Sequence, residues 1–220
     1  MLTIFYIGDS TVARNNIYSY PQTGMSQGLE LYVKESVRIE NHAKNGRSTK
    51  SFLDEGRFQA VEAAMQPGDL LLIQFGHNDE KPDAARHTGP QTSFKANLQL
   101  FIDAARRCGA HPVLITPIAR RLFDEMGNFR PGSHGEYPAA MRELAAETNV
   151  PLIDLTAVTE AYLAKLGDEP SKPLFMWPKD NTHLKPEGAV KMAGFLAEGL
   201  RALGGVYAAI LCGPEEGAGI

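Results

Sequence analysis

Five short aliphatic or β-branched runs alternate with longer segments of helical periodicity, and this alternation restricts the fold more than any other feature of the chain. The runs occupy 2–7, 36–40, 69–75, 112–116 and 151–154. The third, Asp69-Leu70-Leu71-Leu72-Ile73-Gln74-Phe75, is apolar on both parities, as a strand covered on both faces must be. Helices are expected over 24–34, 58–65, 93–108, 137–147, 155–166 and 186–203. In 93–108, Phe94, Leu98, Phe101, Ile102 and Ala105 fall on one stripe. Such alternation implies an α/β fold, a mostly parallel sheet with helices on both faces. Ligands of these folds bind beyond the carboxyl ends of the strands, which points to the segments after Ile7, Glu40, Phe75 and Thr116.

A chain of 220 residues is expected to form one domain, with its body over 1–203 and a tail, 204–220, of unassigned role. Val206 to Leu211 is apolar and could pack, pair with a second copy in a homo-oligomer, or fray. The net charge of −4 argues against nucleic acid and anionic membrane as partners. Two cysteines, Cys108 and Cys212, are too few for a disulfide framework. No apolar run approaches the roughly 18 residues of a membrane span. The stretch from Met1 to Ile7 lacks the basic start and length of a signal peptide, so a cytoplasmic enzyme is expected.

Several polar turns could carry chemistry. Ser10, in Gly8-Asp9-Ser10-Thr11, lies where the first strand turns; such a cluster also serves simply as a turn. Gly24-Met25-Ser26-Gln27-Gly28 matches the G-x-S-x-G nucleophile elbow, yet that elbow needs a strand before it. Pro21 spoils the preceding segment as a strand, so Ser26 is read as part of a helix start. Gly46-Arg47-Ser48-Thr49 lacks the lysine of a phosphate loop and reads as a tight turn. Gly76-His77-Asn78-Asp79 offers the Asn78 amide as a donor to an oxyanion. In Asp180-Asn181-Thr182-His183, the carboxylate can fold back onto Nδ1–H and leave Nε2 as a base, although an aspartate there also suits a helix cap.

Gly8-Asp9-Ser10, Gly46, Gly76-His77-Asn78 and Asp180-x-x-His183 resemble the four blocks of the SGNH (GDSL) hydrolase superfamily and span nearly the whole chain. Within it, Gly8 to Thr11, Asn45 to Ser48, Gly76 to Asp79, Asp180 to His183 and the stretch Gly109 to Pro117 resemble bacterial rhamnogalacturonan acetylesterases. The resemblance implies a flavodoxin-like three-layer sandwich with a five-stranded parallel sheet. It also implies a serine esterase without cofactor or metal, acting on acetylated, pectin-derived oligosaccharides. Ser10 would be the nucleophile, His183 the base and Asp180 its orienting acid, with Ser10 N–H, Gly46 N–H and the Asn78 amide around the oxyanion. Met25 stands where an aromatic residue is expected, and the secretion signal and disulfides of fungal members are absent. Imported oligosaccharides rather than polymer would then be the substrate.

Arg120 and Arg121 could meet a galacturonate carboxylate bidentately; the alternative is an exposed pair neutralised by Asp124 and Glu125. Asp9 and Asp79 are expected to hold loops together, and His77 to support its loop. His42, His87, His111 and His134 are assigned surface or packing roles. Three competing readings remain. A metal hydrolase could use His77, Asp79, Asp180 and His183 as ligands, which leaves Ser10 unexplained. The full set of motif residues speaks against an inactive carbohydrate-binding domain. An esterase, lipase or thioesterase acting on another short acyl ester, such as acetylated xylan, shares the same residues.

Overall fold

The five apolar runs become five parallel strands in the order β2–β1–β3–β4–β5, the flavodoxin-like order. They are β1 (Thr3–Gly8), β2 (Arg38–Asn41), β3 (Leu70–Gln74), β4 (His111–Ile115) and β5 (Leu152–Ile153). A computed structural model describes residues 1–213 of the chain. Because successive strand side chains point to opposite faces, β1 sends Ile4 and Tyr6 one way and Phe5 and Ile7 the other. Leu70, Leu72, Val113 and Ile115 join the first set, under α1 (Met25–Leu29), α6 (Leu155–Leu166) and α8 (Pro186–Leu203). Leu71, Ile73 and Leu114 join the second, under α2 (Thr49–Asp54), α3 (Arg57–Ala64), α4 (Lys95–Arg107) and α5 (Tyr137–Thr148). The double covering explains why β3 is apolar on both parities.

The first helix is shorter than its expected span, ending at Leu29 rather than 34. The next residues are claimed by the far end of the chain. Val33 forms an antiparallel bridge with Leu211, Lys34 N–H donates to Ile210 O at 3.0 Å, and Cys212 N–H donates to Tyr32 O at 2.9 Å. The tail therefore packs as far as it is described, through α9 (Gly205–Ala209) and the buried Ile210 and Leu211; 214–220 lie outside the described residues. Helix α2 carries no periodic signal in the sequence. It is too short to show a stripe, and it starts in a reciprocal cap between Ser48 and Ser51.

Two loops wall the carboxyl edge. The segment 116–136 after β4 folds back on itself through the Phe123–Phe129 bridge. The segment 175–184, between the short turns α7 (Asp168–Ser171) and Lys172–Leu174 and helix α8, is closed by a Phe175–Leu184 bridge. Among the described residues, no helix is long and apolar enough to cross a membrane.

Candidate active site

Strands β1 and β3 are neighbours whose onward connections run to opposite sides of the sheet, and the crevice between their carboxyl ends is where ligands of such folds sit. Ser10 follows β1 at this point. The turn before it needs glycine: a Cβ on Gly8 would lie 2.5 Å from Gln74 O. Asp9 then fixes the turn, its Oδ1 accepting from Thr11 N at 2.9 Å and from Thr11 Oγ1 at 2.8 Å. Gln74 ties Thr11 to Tyr6, whose hydroxyl donates to Gln74 Oε1 at 2.7 Å. Asp9 is fully buried and burial raises its pKa, so it serves the fold of the turn rather than the surface of the cleft.

Asp180 and His183 come from the loop closed by Phe175 and Leu184. Asp180 Oδ1 accepts from the backbone N–H of Thr182 at 2.9 Å and of His183 at 2.7 Å, a tight turn that folds the histidine back. Its Oδ2 lies 3.1 Å from His183 Nδ1, and His183 Nε2 lies 2.9 Å from Ser10 Oγ. Partial burial disfavours the carboxylate, but the hydrogen bonds from His183 and Thr182 outweigh it and hold the Asp180 pKa below its usual value. An ionised Asp180 keeps the proton on Nδ1, so Nε2 presents its lone pair to the Ser10 hydroxyl.

Gly46 and Asn78 reach the same cleft from the turns after β2 and β3. Gly46 has φ +79°, a left-handed conformation that strains any residue with a Cβ. Among the described residues, neither Ser10 N–H nor Gly46 N–H donates to another protein group. Asn78 Oδ1 accepts from Arg86 Nη1 at 3.2 Å, which identifies the other end of the amide as the NH2; that end gives one hydrogen to Arg47 O at 3.2 Å. Its second hydrogen is available to a ligand. Asp79 anchors this turn from behind, accepting from Thr49 N at 3.0 Å, Thr49 Oγ1 at 2.6 Å and Thr88 Oγ1 at 3.1 Å. Burial pushes its pKa up to about 7.

The cleft holds about 570 Å³. Its lining includes the cations Lys81, Arg86 and Arg120. Lys81 and Arg86 escape a motif search because they lie in the loop after β3 without a recognisable pattern; only the carboxyl-edge rule points to that loop. Arg120 lines the cleft as expected, but its Nη2 is held by Glu80 and by His77 O. Arg121 does not reach the cleft, so the two arginines do not form the expected bidentate pair there. It is 3 % exposed, bonded to Asp168 and to Ser171 Oγ, and stacked between Phe123 and Trp177. Nor are the two arginines neutralised by Asp124 and Glu125: their partners are Glu80 and Asp168.

Ser26 is buried inside α1, accepting from Asn41 Nδ2, and does not line the cleft. His77 is buried with its ring 4.4 Å from that of His134, and burial drives its pKa well below the usual value, so it stays neutral in the wall of the cleft. The four residues of the metal reading do not make a ligand set: Asp79 is taken by Thr49 and Thr88, and Asp180 and His183 bind each other. Among the described residues, no three His, Cys, Asp or Glu side chains are grouped to hold a metal ion.

Residues 6–190 match the GDSL-like Lipase/Acylhydrolase family, which covers every residue of the cleft described above. The chain belongs to that family. As a GDSL-like hydrolase it is a carboxylic ester hydrolase. It is similar to rhamnogalacturonan acetylesterase RhgT of Bacillus subtilis (strain 168), 44 % identical over 215 residues, 92 % of this chain and 91 % of that protein. It is also similar to the probable rhamnogalacturonan acetylesterase YesY of the same organism, 40 % identical over 91 % of this chain and 93 % of that one. Among solved structures, protein YxiM of Bacillus subtilis matches with a TM-score of 0.82 at 28 % identity, over 92 % of this GDSL-like hydrolase. The chain spans 56 % of that longer one.

Proposed function

We propose that this hydrolase removes O-acetyl groups from acidic, pectin-derived oligosaccharides by a Ser10–His183–Asp180 mechanism. The observation that carries it is His183 placed between its two partners, 2.9 Å from Ser10 Oγ and 3.1 Å from Asp180 Oδ2. Ser10 Oγ attacks the acetyl carbonyl carbon while His183 Nε2 takes the hydroxyl proton. The bond from that carbon to the sugar oxygen breaks, and His183 returns the proton to the departing sugar hydroxyl. Water then attacks the acetyl-serine, again giving a proton to Nε2; acetate leaves and the proton returns to Ser10. In both halves the negative oxygen is met by Ser10 N–H, Gly46 N–H and the Asn78 amide. Asp180, held ionised, stabilises the imidazolium without taking its proton.

The substrate class is supported by the names of the two similar acetylesterases and by the cations in the lining of the cleft. Lys81 has no acidic partner among the described residues, so its ammonium is free to meet a uronate carboxylate. Acetate release from acetylated rhamnogalacturonan and acetylated xylan oligosaccharides, with wild type and Ser10→Ala in parallel, tests both parts. Preference for the first, abolished by the substitution, is expected. Preference for xylan moves the substrate and keeps the mechanism, whereas full activity in Ser10→Ala removes the serine mechanism. We place the enzyme in the cytoplasm, consistent with two unpaired cysteines, and cell fractionation checks this.

A further inference from the structure

We propose that the indole of Trp177 forms a second sugar subsite, seating a neutral pyranose that adjoins the acetylated residue on the same oligosaccharide. This rests on the acetylesterase reading above and adds a place for the substrate's neighbouring unit. A hollow of about 250 Å³ adjoins the catalytic cleft, sharing Leu122 and Asn181 with its lining. Trp177 is 41 % exposed in that hollow, three residues before Asp180 in the same closed loop.

The ring is held rather than loose. The Arg121 guanidinium lies 4.7 Å from its centroid and 5.2 Å from that of Phe123, and it is itself fixed by Asp168 and Ser171. Lys172 Nζ, 5.4 Å from the same centroid, is paired with Glu169. A platform whose rotamer is already fixed loses little entropy when a ligand stacks on it. A flat, partly apolar ring suits the C–H face of a pyranose, with a large apolar area to cover.

The charges give the subsite its preference. The hollow carries the carboxylates of Asp124, Glu125 and Asp168, the last spent on Arg121, while the catalytic cleft carries Lys81, Arg86 and Arg120. An acidic sugar is drawn to the Lys81 side and repelled from the Trp177 side. The fitting ligand is an oligosaccharide in which neutral and acidic units adjoin, with the neutral one on the indole.

Trp177 is the single tryptophan of the 220 residues, so intrinsic tryptophan emission reads this site alone. Wild type would be titrated with deacetylated rhamnogalacturonan oligosaccharides, with oligogalacturonates and with xylo-oligosaccharides. A saturable emission change with the first, at least tenfold weaker with the all-acidic oligogalacturonates, is expected. Trp177→Ala should lower the ratio of kcat/KM on acetylated rhamnogalacturonan oligosaccharide to that on 4-nitrophenyl acetate about tenfold, mainly through KM. An emission change with xylo-oligosaccharides alone supports the subsite while overturning the pectin reading. Saturable turnover of the acetylated oligosaccharide with no emission change overturns the subsite and leaves the esterase reading standing.

Discussion

The backbone N–H of Arg121 donates to the carbonyl of Asn181 at 2.8 Å, so the loop after β4 holds the loop that carries Asp180 and His183. The Arg121 side chain adds a second tie, to Asp168 and Ser171, from a position that is 3 % exposed. Arg121→Ala leaves Asp168 unpaired and removes the stack on Trp177. Asp168 is 30 % exposed, so the cost belongs at the low end for a broken buried pair, about 3 kcal/mol. Urea unfolding of variant and wild type measures it; coincident midpoints would show that Arg121 bears no such load.

Replacing Ser10 by Ala removes the group nearest His183 Nε2 without touching the bonds that fix the turn through Asp9. Turnover of 4-nitrophenyl acetate should fall by about a thousandfold or more. Circular dichroism should be unchanged. Residual activity close to wild type would assign the nucleophile elsewhere.

For Asn78→Ala, kcat should drop about a hundredfold, the usual cost of one oxyanion donor. The loss should appear in kcat more than in KM, because the amide acts on charge that develops only in the transition state. Steady-state kinetics decide it, and a pure KM effect would make Asn78 a substrate contact instead.

The buried Asp79 gives a pH dependence of stability whose sign follows from its raised pKa. In the unfolded chain the proton leaves near 3.8; in the folded protein it stays until about 7. Between those values the folded state binds more protons, so raising the pH weakens it. The contribution is complete below the lower value and gone above the upper one. Urea midpoints at pH 5 and pH 8 should differ less in Asp79→Asn than in wild type, since asparagine keeps the acceptor for Thr49 and Thr88. An unaltered pH slope in the variant would contradict this.

Lys81 is the cleft cation without an acidic partner among the described residues. In Lys81→Ala the ratio of kcat/KM on acetylated uronate-containing sugars to that on neutral acetylated sugars should fall about tenfold. An equal loss on both classes would separate the lysine from carboxylate recognition.

Much of this was legible in the chain because the carboxyl-edge rule acts on segments, and segments are what periodicity locates. Ser10, Gly46 and Asn78 follow three adjacent strands, so their meeting required only the strand order. The Asp180–His183 contact is local, set by a turn of four residues. What the chain concealed depends on the direction of single side chains. Arg120 and Arg121 are neighbours in a non-helical segment, and one faces the cleft while the other faces Trp177. A composition argument cannot separate them. The early end of α1 was hidden for another reason: its cause, the pairing of Val33 with Leu211, lies at the opposite end of the chain.

That pairing also carries an entropic cost. The residues leading into β2 are completed by Leu211 and by the carbonyl of Ile210, contacts that join positions 33 and 34 to 211 and 210. Bringing segments so distant in sequence together costs loop-closure entropy, which the burial of Ile210 and Leu211 must offset.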